Sequence, residues 1–277
     1  MDVFLEKKAA QIRLDALTAI HKSGCGYAGS VMSVVDILVA LYYGSLSGSP
    51  ILNCDSKNPD FDGQDYLVLS KGHAVIAQYA ILADLGFFDK SELNYFGKQG
   101  SLLSNRPYLK VPGITVSNIS HGQGLSMALG IALSLKMDKR NNKVFAVLGD
   151  GELQEGQVWE AAMAASHYKL DNLVAIVDNN KVQAEGNVSA IMDIGCIQDK
   201  FEAFGWRVVQ VTDGHDFDKL LDAFRRAESN IRRPVLIWCH TVCGKGMVFA
   251  EGKQEYRDAF ITERELNEII SNLKETV

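Results

Sequence analysis

No run of this chain is apolar for the length that a bilayer demands, and no signal peptide opens it, so the cytosol is the default reading. Cysteine is scarce: Cys25, Cys54, Cys196, Cys239 and Cys243 are odd in number, scattered and without a C-x-x-C pair. That usage argues against a disulfide scaffold or a thiolate metal site, and Cys239 and Cys243 read as reduced residues near a strand end. Positive charge is not in excess. Against 34 Asp and Glu stand 28 Lys and Arg, a net charge of −6, which removes the basic surface that a nucleic-acid partner needs. Internal repeats, low-complexity tracts and linkers are absent. So is G-x-x-x-x-G-K-[ST], and the near match to G-x-G-x-x-G from Gly149 fails at its third glycine, where Gln154 stands; the next glycine is Gly156. A nucleotide P-loop and a Rossmann dinucleotide turn are both disfavoured.

With 277 residues, 47% of them hydrophobic, the chain is long enough to bury the core of one large α/β domain, read here as 1–277. The informative stretch is 143–182. Apolar residues 144–148 form a short buried strand that runs into Gly149-Asp150-Gly151, a helix follows over about 153–168, and a second apolar strand, 173–177, ends at Asp178-Asn179-Asn180. In a βαβ unit both strands run parallel, so both carboxyl ends open on the edge of the sheet where ligands of such folds bind. Asp150 and Asn180 are therefore expected to meet. A carboxylate and an amide oxygen are hard donors suited to Mg²⁺ or Ca²⁺. Gly149 and Gly151 let backbone approach a phosphate near a helix N-terminus. A tight glycine turn in an ordinary sheet explains either end alone, but not both at this spacing.

Along the chain, Ile12, Ala16, Leu17 and Ile20 recur at helical spacing in a lead-in helix over 5–21. A glycine-rich break, 23–30, separates it from a second helix beginning near Val31. Residues 53–65 are polar and Asp-rich, a surface loop. A strand over 66–69 then delivers Ser70-Lys71-Gly72-His73 to the same sheet edge, and a helix over 74–85 stops at Gly86. Residues 96–116 lack periodicity and read as a binding loop. The segment 125–135 is apolar nearly all round, which predicts a helix buried on every side and, in a single domain, an oligomer interface. After an irregular excursion over 181–196 come a strand over 206–211, a helix to Glu228 capped by Asp216, a last strand over 235–239, and an amphipathic tail over 262–274 with Leu266, Ile269, Ile270 and Leu273. The elements fit a doubly wound, mostly parallel sheet with helices on both faces.

Gly149-Asp150-Gly151 followed by Asn179-Asn180 resembles the thiamine-diphosphate motif. GELQEGQVWEAA (151–162) and HYKLDNLVAIVDNNKVQ (167–183) resemble transketolases in particular. The similarity extends through SGxxxxGSVMSVVDIL (23–38), LSKGHA (69–74), GQGLSMALGIAL (122–133) and TVCGKG (241–246). The resemblance implies a diphosphate domain in which Asp150, Asn180 and the backbone carbonyl of Val182 hold Mg²⁺, with Ca²⁺ or Mn²⁺ as substitutes. It implies that Gly149, Gly151, Glu152, Gly122, Asn180 and His73 surround the diphosphate region. Glu155 and Glu160 match acids that the family buries where two cofactor-binding halves meet; by themselves they read as solvated acids near a helix N-terminus. The hard chemistry belongs to the cofactor, whose activation in this family uses a glutamate of the pyrimidine domain. That domain and a C-terminal domain are expected on a second subunit, in an α2β2 assembly, and the chain alone is expected to be inert.

Three departures stand out. The family's SGH is Ser23-Gly24-Cys25 here, its GHP is Asn105-Arg106-Pro107, and the Trp-His pair of split transketolases is Tyr256-Arg257. His121, by contrast, stands where the family has an apolar residue. Exchanging near-neutral acid–base groups for the fixed cations Arg106 and Arg257 suits an anionic substrate group. The expected reaction is transfer of a two-carbon ketol unit from a ketose phosphate to an aldehyde. The alternatives are a carboligase with a 2-oxo acid donor and a non-catalytic cofactor-binding relic, the latter disfavoured by an intact Asp150, Asn180 and Glu155.

Overall fold

A computed structural model of the chain describes residues 2–274 other than 60, 118, 119, 230 and 231, with side chains to residue 272. Five strands, β1 (Tyr66–Leu69), β2 (Val144–Gly149), β3 (Leu173–Asn179), β4 (Arg207–Val211) and β5 (Val235–His240), form one sheet in the order β1-β2-β3-β5-β4. Every pairing in it is parallel. Valine, isoleucine and leucine dominate these strands because both faces are covered. Phe145, Val147, Val174, Ile176 and Ile237 point into one core, and Val144, Ala146, Leu148, Ala175 and Val177 into the other.

The first core is closed by α1 (Val3–Ser23), α2 (Ala28–Tyr43), α3 (Val75–Asp84) and, after β4, α8 (Phe217–Glu228). The second is closed by α4 (Gln123–Met137), α5 (Gly156–His167) and α7 (Ile197–Ala203), with the short α6 (Val188–Met192) following a two-residue hairpin after β3. Asp216 caps α8 as expected, its carboxylate accepting the Lys219 N–H at 3.2 Å. The tail helix α9 (Glu263–Lys274) packs Leu266 and Ile269 into the first core; Leu273 lies outside the described side chains.

Two expectations need correction. Burial on all sides belongs to α2, where every residue from Ala28 to Tyr42 is buried, and not to α4. Helix α4 buries only the stripe Gly124, Leu125, Ala128, Ala132 and Leu135 and leaves Gly130 and Met137 exposed. The reason is position: α2 packs against α1, α3, α8 and the sheet, whereas among the described residues nothing covers the outer face of α4 and α5. Second, the helix after β2 begins at Gly156 and not near Leu153. A 3₁₀ turn, Gly151–Gln154, intervenes, and Glu155 is extended at φ −75°, ψ 128°. The Glu152 carboxylate, turned inward, holds that turn away from α-helical geometry. Glu155 is thus the residue before the helix, the α-helix N-terminus does not directly follow the glycine turn, and Glu160 lies within the helix.

Candidate active site

At the carboxyl edge of β1, β2 and β3 lies a cavity of about 210 Å³. Of the residues singled out in the sequence, His73, His121, Gly149, Asp150, Gly151, Glu152, Glu155, Asn180, Val182 and Arg257 line it. Gly122 and Arg106 are not among the lining residues: Gly122 sits behind Glu152 and Glu155, and Arg106 contacts Tyr27, which packs on His73. Glu160 does not arrive: it is exposed on α5, away from the cavity.

The β2 end supplies the acidic wall. Asp150 is 3% exposed, with its two oxygens accepting from the N–H groups of Gly151 at 2.9 Å and Lys181 at 2.6 Å. Burial, and after it the nearby Asp178, push its carboxyl up to about 6. Asn180 is oriented from both ends. Its amide nitrogen donates to Ser33 Oγ at 3.0 Å, and its amide oxygen accepts the Val182 N–H at 3.0 Å. Among the described residues no group of three or more His, Cys, Asp or Glu side chains is arranged to hold a metal. The available side-chain set is instead one carboxylate and one amide oxygen, with Val182 also lining the cavity. Such a set of hard oxygens, with a buried carboxylate whose ionisation is penalised, fits a cation that keeps part of its own shell, as Mg²⁺ does.

Glu152 behaves differently from the expectation that it contacts a cofactor. Its Oε1 accepts from the Ser70 hydroxyl and from the Gly122 N–H at 2.8 Å, and its Oε2 from the Gly149 N–H at 3.2 Å. Both oxygens are committed to protein donors, so this carboxylate ties together the loops after β1 and β2 and the entry to α4. Its pKa is raised by burial against those bonds. Gly122 is the partner that this tie requires: at φ +80° it adopts a left-handed conformation, and a Cβ there would come within 2.8 Å of Glu155 Cβ. Gly151 approaches the hairpin after β3, since a Cβ would meet Gln183 Cβ at 3.1 Å.

The opposite wall is basic. His73 Nε2 lies 2.7 Å from Ser30 Oγ, while Nδ1 is buried with no hydrogen-bond partner among the described residues. Its ring packs edge-on to Tyr27 at 5.2 Å and tilted against His121 at 5.5 Å. Burial first, then Lys71, Arg257, His121 and Arg106, hold His73 well below the usual histidine range. His121 is lowered too, by burial and then by Arg106 and Arg257. Both imidazoles are therefore neutral at pH 7, and His73 Nδ1 is a buried polar atom to which the described residues offer no partner.

Beneath the cavity runs a network that the sequence motifs name only in passing. Lys71 Nζ donates to Asp178 Oδ2 and to the Ser30 carbonyl at 3.0 Å. The hydroxyls of Thr241 and of Ser33, the latter at 2.6 Å, donate to the same carboxylate. Lys71 and Asp178 stand inside LSKGHA and Asp178-Asn179-Asn180, but nothing local marks them as partners across 107 residues. All five cysteines are free; Cys239 and Cys243 are buried, and burial pushes the Cys243 thiol up to about 11.

The sequence profile described as "Transketolase, thiamine diphosphate binding domain" matches residues 5–274. Among curated proteins, an apulose-4-phosphate transketolase subunit of Phocaeicola vulgatus is 34% identical over 99% of this chain and 95% of its own length. The 6-deoxy-6-sulfo-D-fructose transketolase subunit SqwG of a Clostridium species is 37% identical over 98% and 96%. Among solved structures, the transketolase of Campylobacter jejuni superposes with a TM-score of 0.89 at 29% identity, and that of Leishmania mexicana with 0.90 at 26%. The chain spans 42% and 41% of those two proteins, against 99% and 98% of itself.

Proposed function

Because this chain belongs to the transketolase family, whose thiamine-diphosphate-binding domain it carries, we propose that 1–277 is a single domain serving as the cofactor-binding subunit of a two-chain enzyme. In this reading Asp150, Asn180 and the carbonyl of Val182 would hold Mg²⁺, for which Ca²⁺ or Mn²⁺ could substitute, and the Gly149 to Gly151 backbone and His73 would face the diphosphate. Thiamine diphosphate, when bound, supplies the electron sink for making and breaking a carbon–carbon bond. The chain's own residues do the rest. Asp150 and Asn180 fix the charged end, Glu152 and Gly122 hold the loops that face it, and His73 and His121, both neutral, offer hydrogen bonds without adding charge. The observation that carries the reading is the cavity itself, which collects a buried carboxylate of raised pKa, an oriented asparagine and an unpartnered imidazole nitrogen at one sheet edge.

The first-choice reaction is transfer of a two-carbon ketol unit from a ketose phosphate to an aldehyde. A carboligase with a 2-oxo acid donor is the second reading, favoured by the two arginines at the basic end. The partner carries the pyrimidine and C-terminal domains in an α2β2 assembly, consistent with the word "subunit" in the names of both curated relatives. Glu155 and Glu160, exposed in this chain, face that partner, together with the uncovered side of α4 and α5. The test is reconstitution. Purified 1–277 with Mg²⁺ and thiamine diphosphate is expected to show no turnover, and mixing with a chain bearing the pyrimidine domain is expected to restore it. Turnover by 1–277 alone would refute the two-chain reading, and a mixture that fails to retain thiamine diphosphate would refute the cofactor site.

A further inference from the structure

We propose that Arg106, Tyr27 and Arg257 form a clamp that selects a donor substrate carrying a singly charged oxyanion, a carboxylate or a sulfonate, near its reacting carbonyl. The inference rests on reading the cavity as the thiamine-diphosphate site, and for the donor it favours the second reading, an acid beside the carbonyl, over a ketose phosphate. Arg106 comes from the irregular segment 96–116, pinned by its own carbonyl, which accepts from the hydroxyls of Tyr79 at 2.9 Å and Ser104 at 2.6 Å. Arg257 comes from the turn after the 3₁₀ segment Gln254–Tyr256. Tyr27 comes from the break between α1 and α2. These three distant segments meet at one ring: the guanidinium carbons of Arg106 and Arg257 lie 5.3 and 5.8 Å from the Tyr27 centroid. Both distances fall within cation–π range. Tyr27 in turn packs on His73, Arg257 lines the cavity beside His73 and His121, and Arg106, though not in the lining, is close enough to act on both imidazoles.

The charges settle which anion fits. Arg257 Nη1 donates to Asp258 at 2.6 Å, one of the surface pairings that would leave the arginines idle. Its side chain is nevertheless only 12% exposed, and Nε is buried without a partner among the described residues. Arg106 Nη1 donates to the Asn105 carbonyl at 2.9 Å, and the described ion pairs give it no carboxylate. Of the acids on the cavity wall, Asp150 and Glu152 accept backbone N–H groups on the far side, and Glu155, exposed and in none of the described ion pairs, reaches the basic end only as a longer-range field felt at His121. Two permanent cations thus share one carboxylate, leaving about one positive charge, and the neutral imidazoles add none. A monoanion balances that charge. A phosphate dianion overshoots it, and a neutral ketose leaves two cations facing each other across a ring.

The test is a titration of 1–277, with Mg²⁺ and thiamine diphosphate present, followed through the arginine Nε–H resonances at constant ionic strength. The probes are pyruvate, methanesulfonate, inorganic phosphate and dihydroxyacetone. Pyruvate or methanesulfonate is expected to shift the Arg106 and Arg257 signals saturably and to bind more tightly than phosphate or dihydroxyacetone. Whichever of the two binds tighter identifies the oxyanion. Arg106→Gln and Arg257→Gln are each expected to weaken that binding at least about tenfold, with Arg257→Lys failing to restore it because an ammonium lacks the planar fork. Tyr27→Phe keeps the ring but loses the 3.4 Å hydrogen bond that Arg106 Nη2 donates to the hydroxyl, so it should weaken binding less than Tyr27→Leu, which loses ring and hydroxyl together. The clamp is overturned if both glutamine variants lose less than about tenfold, or if phosphate or dihydroxyacetone binds as tightly as the better monoanion. Thiamine diphosphate affinity, measured on 1–277 alone and after mixing with the chain bearing the pyrimidine domain, separates the two levels. Failure of the mixture to retain it would sink the proposed cofactor site, while intact cofactor binding without anion selectivity would sink only the clamp.

Discussion

Replacing Asp150 by asparagine should stabilise the metal-free protein while removing its cation site. Burial raises this carboxyl from 3.8 to about 6. At ~1.4 kcal/mol per pH unit, folding the ionised form costs roughly 3 kcal/mol. The sign follows from the direction of the shift. The folded pKa lies above the unfolded one, so the penalty is absent below about pH 4, grows as the pH rises through the interval to about 6, and is complete above it. By the linkage relation it amounts to roughly 1.6 kcal/mol at pH 5 and roughly 3 kcal/mol at pH 7.5. Asparagine removes the charge but keeps one acceptor where the carboxylate uses two, for Gly151 and Lys181, a loss of ~1 kcal/mol. Asp150→Asn is therefore expected to be more stable than wild type by about 2 kcal/mol at pH 7.5 and by only about 0.6 kcal/mol at pH 5. Urea unfolding of both proteins in EDTA at the two pH values measures this directly, and every other titrating group is common to the pair. With excess Mg²⁺ and thiamine diphosphate the order should invert, since binding stabilises only the protein that binds. A stability difference that does not change between pH 5 and 7.5 would show that the Asp150 charge is not penalised by its surroundings, and the step from burial to cation site would fall.

Asn180→Ala, which removes an oriented oxygen and leaves Ser33 without its amide donor, should weaken Mg²⁺-dependent retention of thiamine diphosphate by the reconstituted enzyme at least about tenfold, as read by calorimetry. Glu152→Gln puts an NH₂ group against one of three donors, Ser70, Gly122 or Gly149. The blocked donor costs roughly 1–3 kcal/mol; because burial raises the Glu152 carboxyl, removing its charge offsets more of that loss as pH rises, so a denaturant titration should show a larger net destabilisation at pH 5 than at pH 7.5. Gly122→Ala forces a left-handed residue and a 2.8 Å contact, and should destabilise the fold by more than about 1 kcal/mol while leaving Mg²⁺ affinity in the folded fraction within about threefold.

The parallel sheet was legible because its strands are short, mostly apolar runs, and the Gly149-Asp150-Gly151 and Asp178-Asn179-Asn180 endings of β2 and β3 decide which edge carries chemistry. The misreading of α4 has a definite cause. Residues 125–135 and 31–42 are both apolar on nearly all sides, and periodicity cannot tell a helix buried inside one chain from a helix whose outer face is left bare. The late start of α5 was hidden for another reason. Glu152 to Glu155 have good helix propensity, and only the long-range bonds from Glu152 to Ser70 and Gly122 hold this stretch in a 3₁₀ turn.

The site was legible to the extent that its residues announce themselves by local motif, which is true of Asp150, Asn180 and His73 and false of Lys71, Asp178 and Tyr27. The hidden residues alter the electrostatics. Counting charges by motif alone, Lys71 beside His73 would be a natural cation for a phosphate. In the fold it is 1% exposed and spent on Asp178, a fully buried carboxylate that also takes the Thr241 and Ser33 hydroxyls. Removing one partner of such a pair leaves an uncompensated buried charge, so Lys71 is fixed there and is not free to follow a ligand. Asp178 in turn adds its field to Asp150. The buried lysine that could have neutralised Asp150 is claimed, and the acidic wall stays one positive charge short. A diphosphate arriving without a metal would meet that carboxylate as a like charge. Arriving with a divalent cation, it brings the charge that Asp150 lacks, which is the physical reason that cation and cofactor binding at this edge should be interdependent.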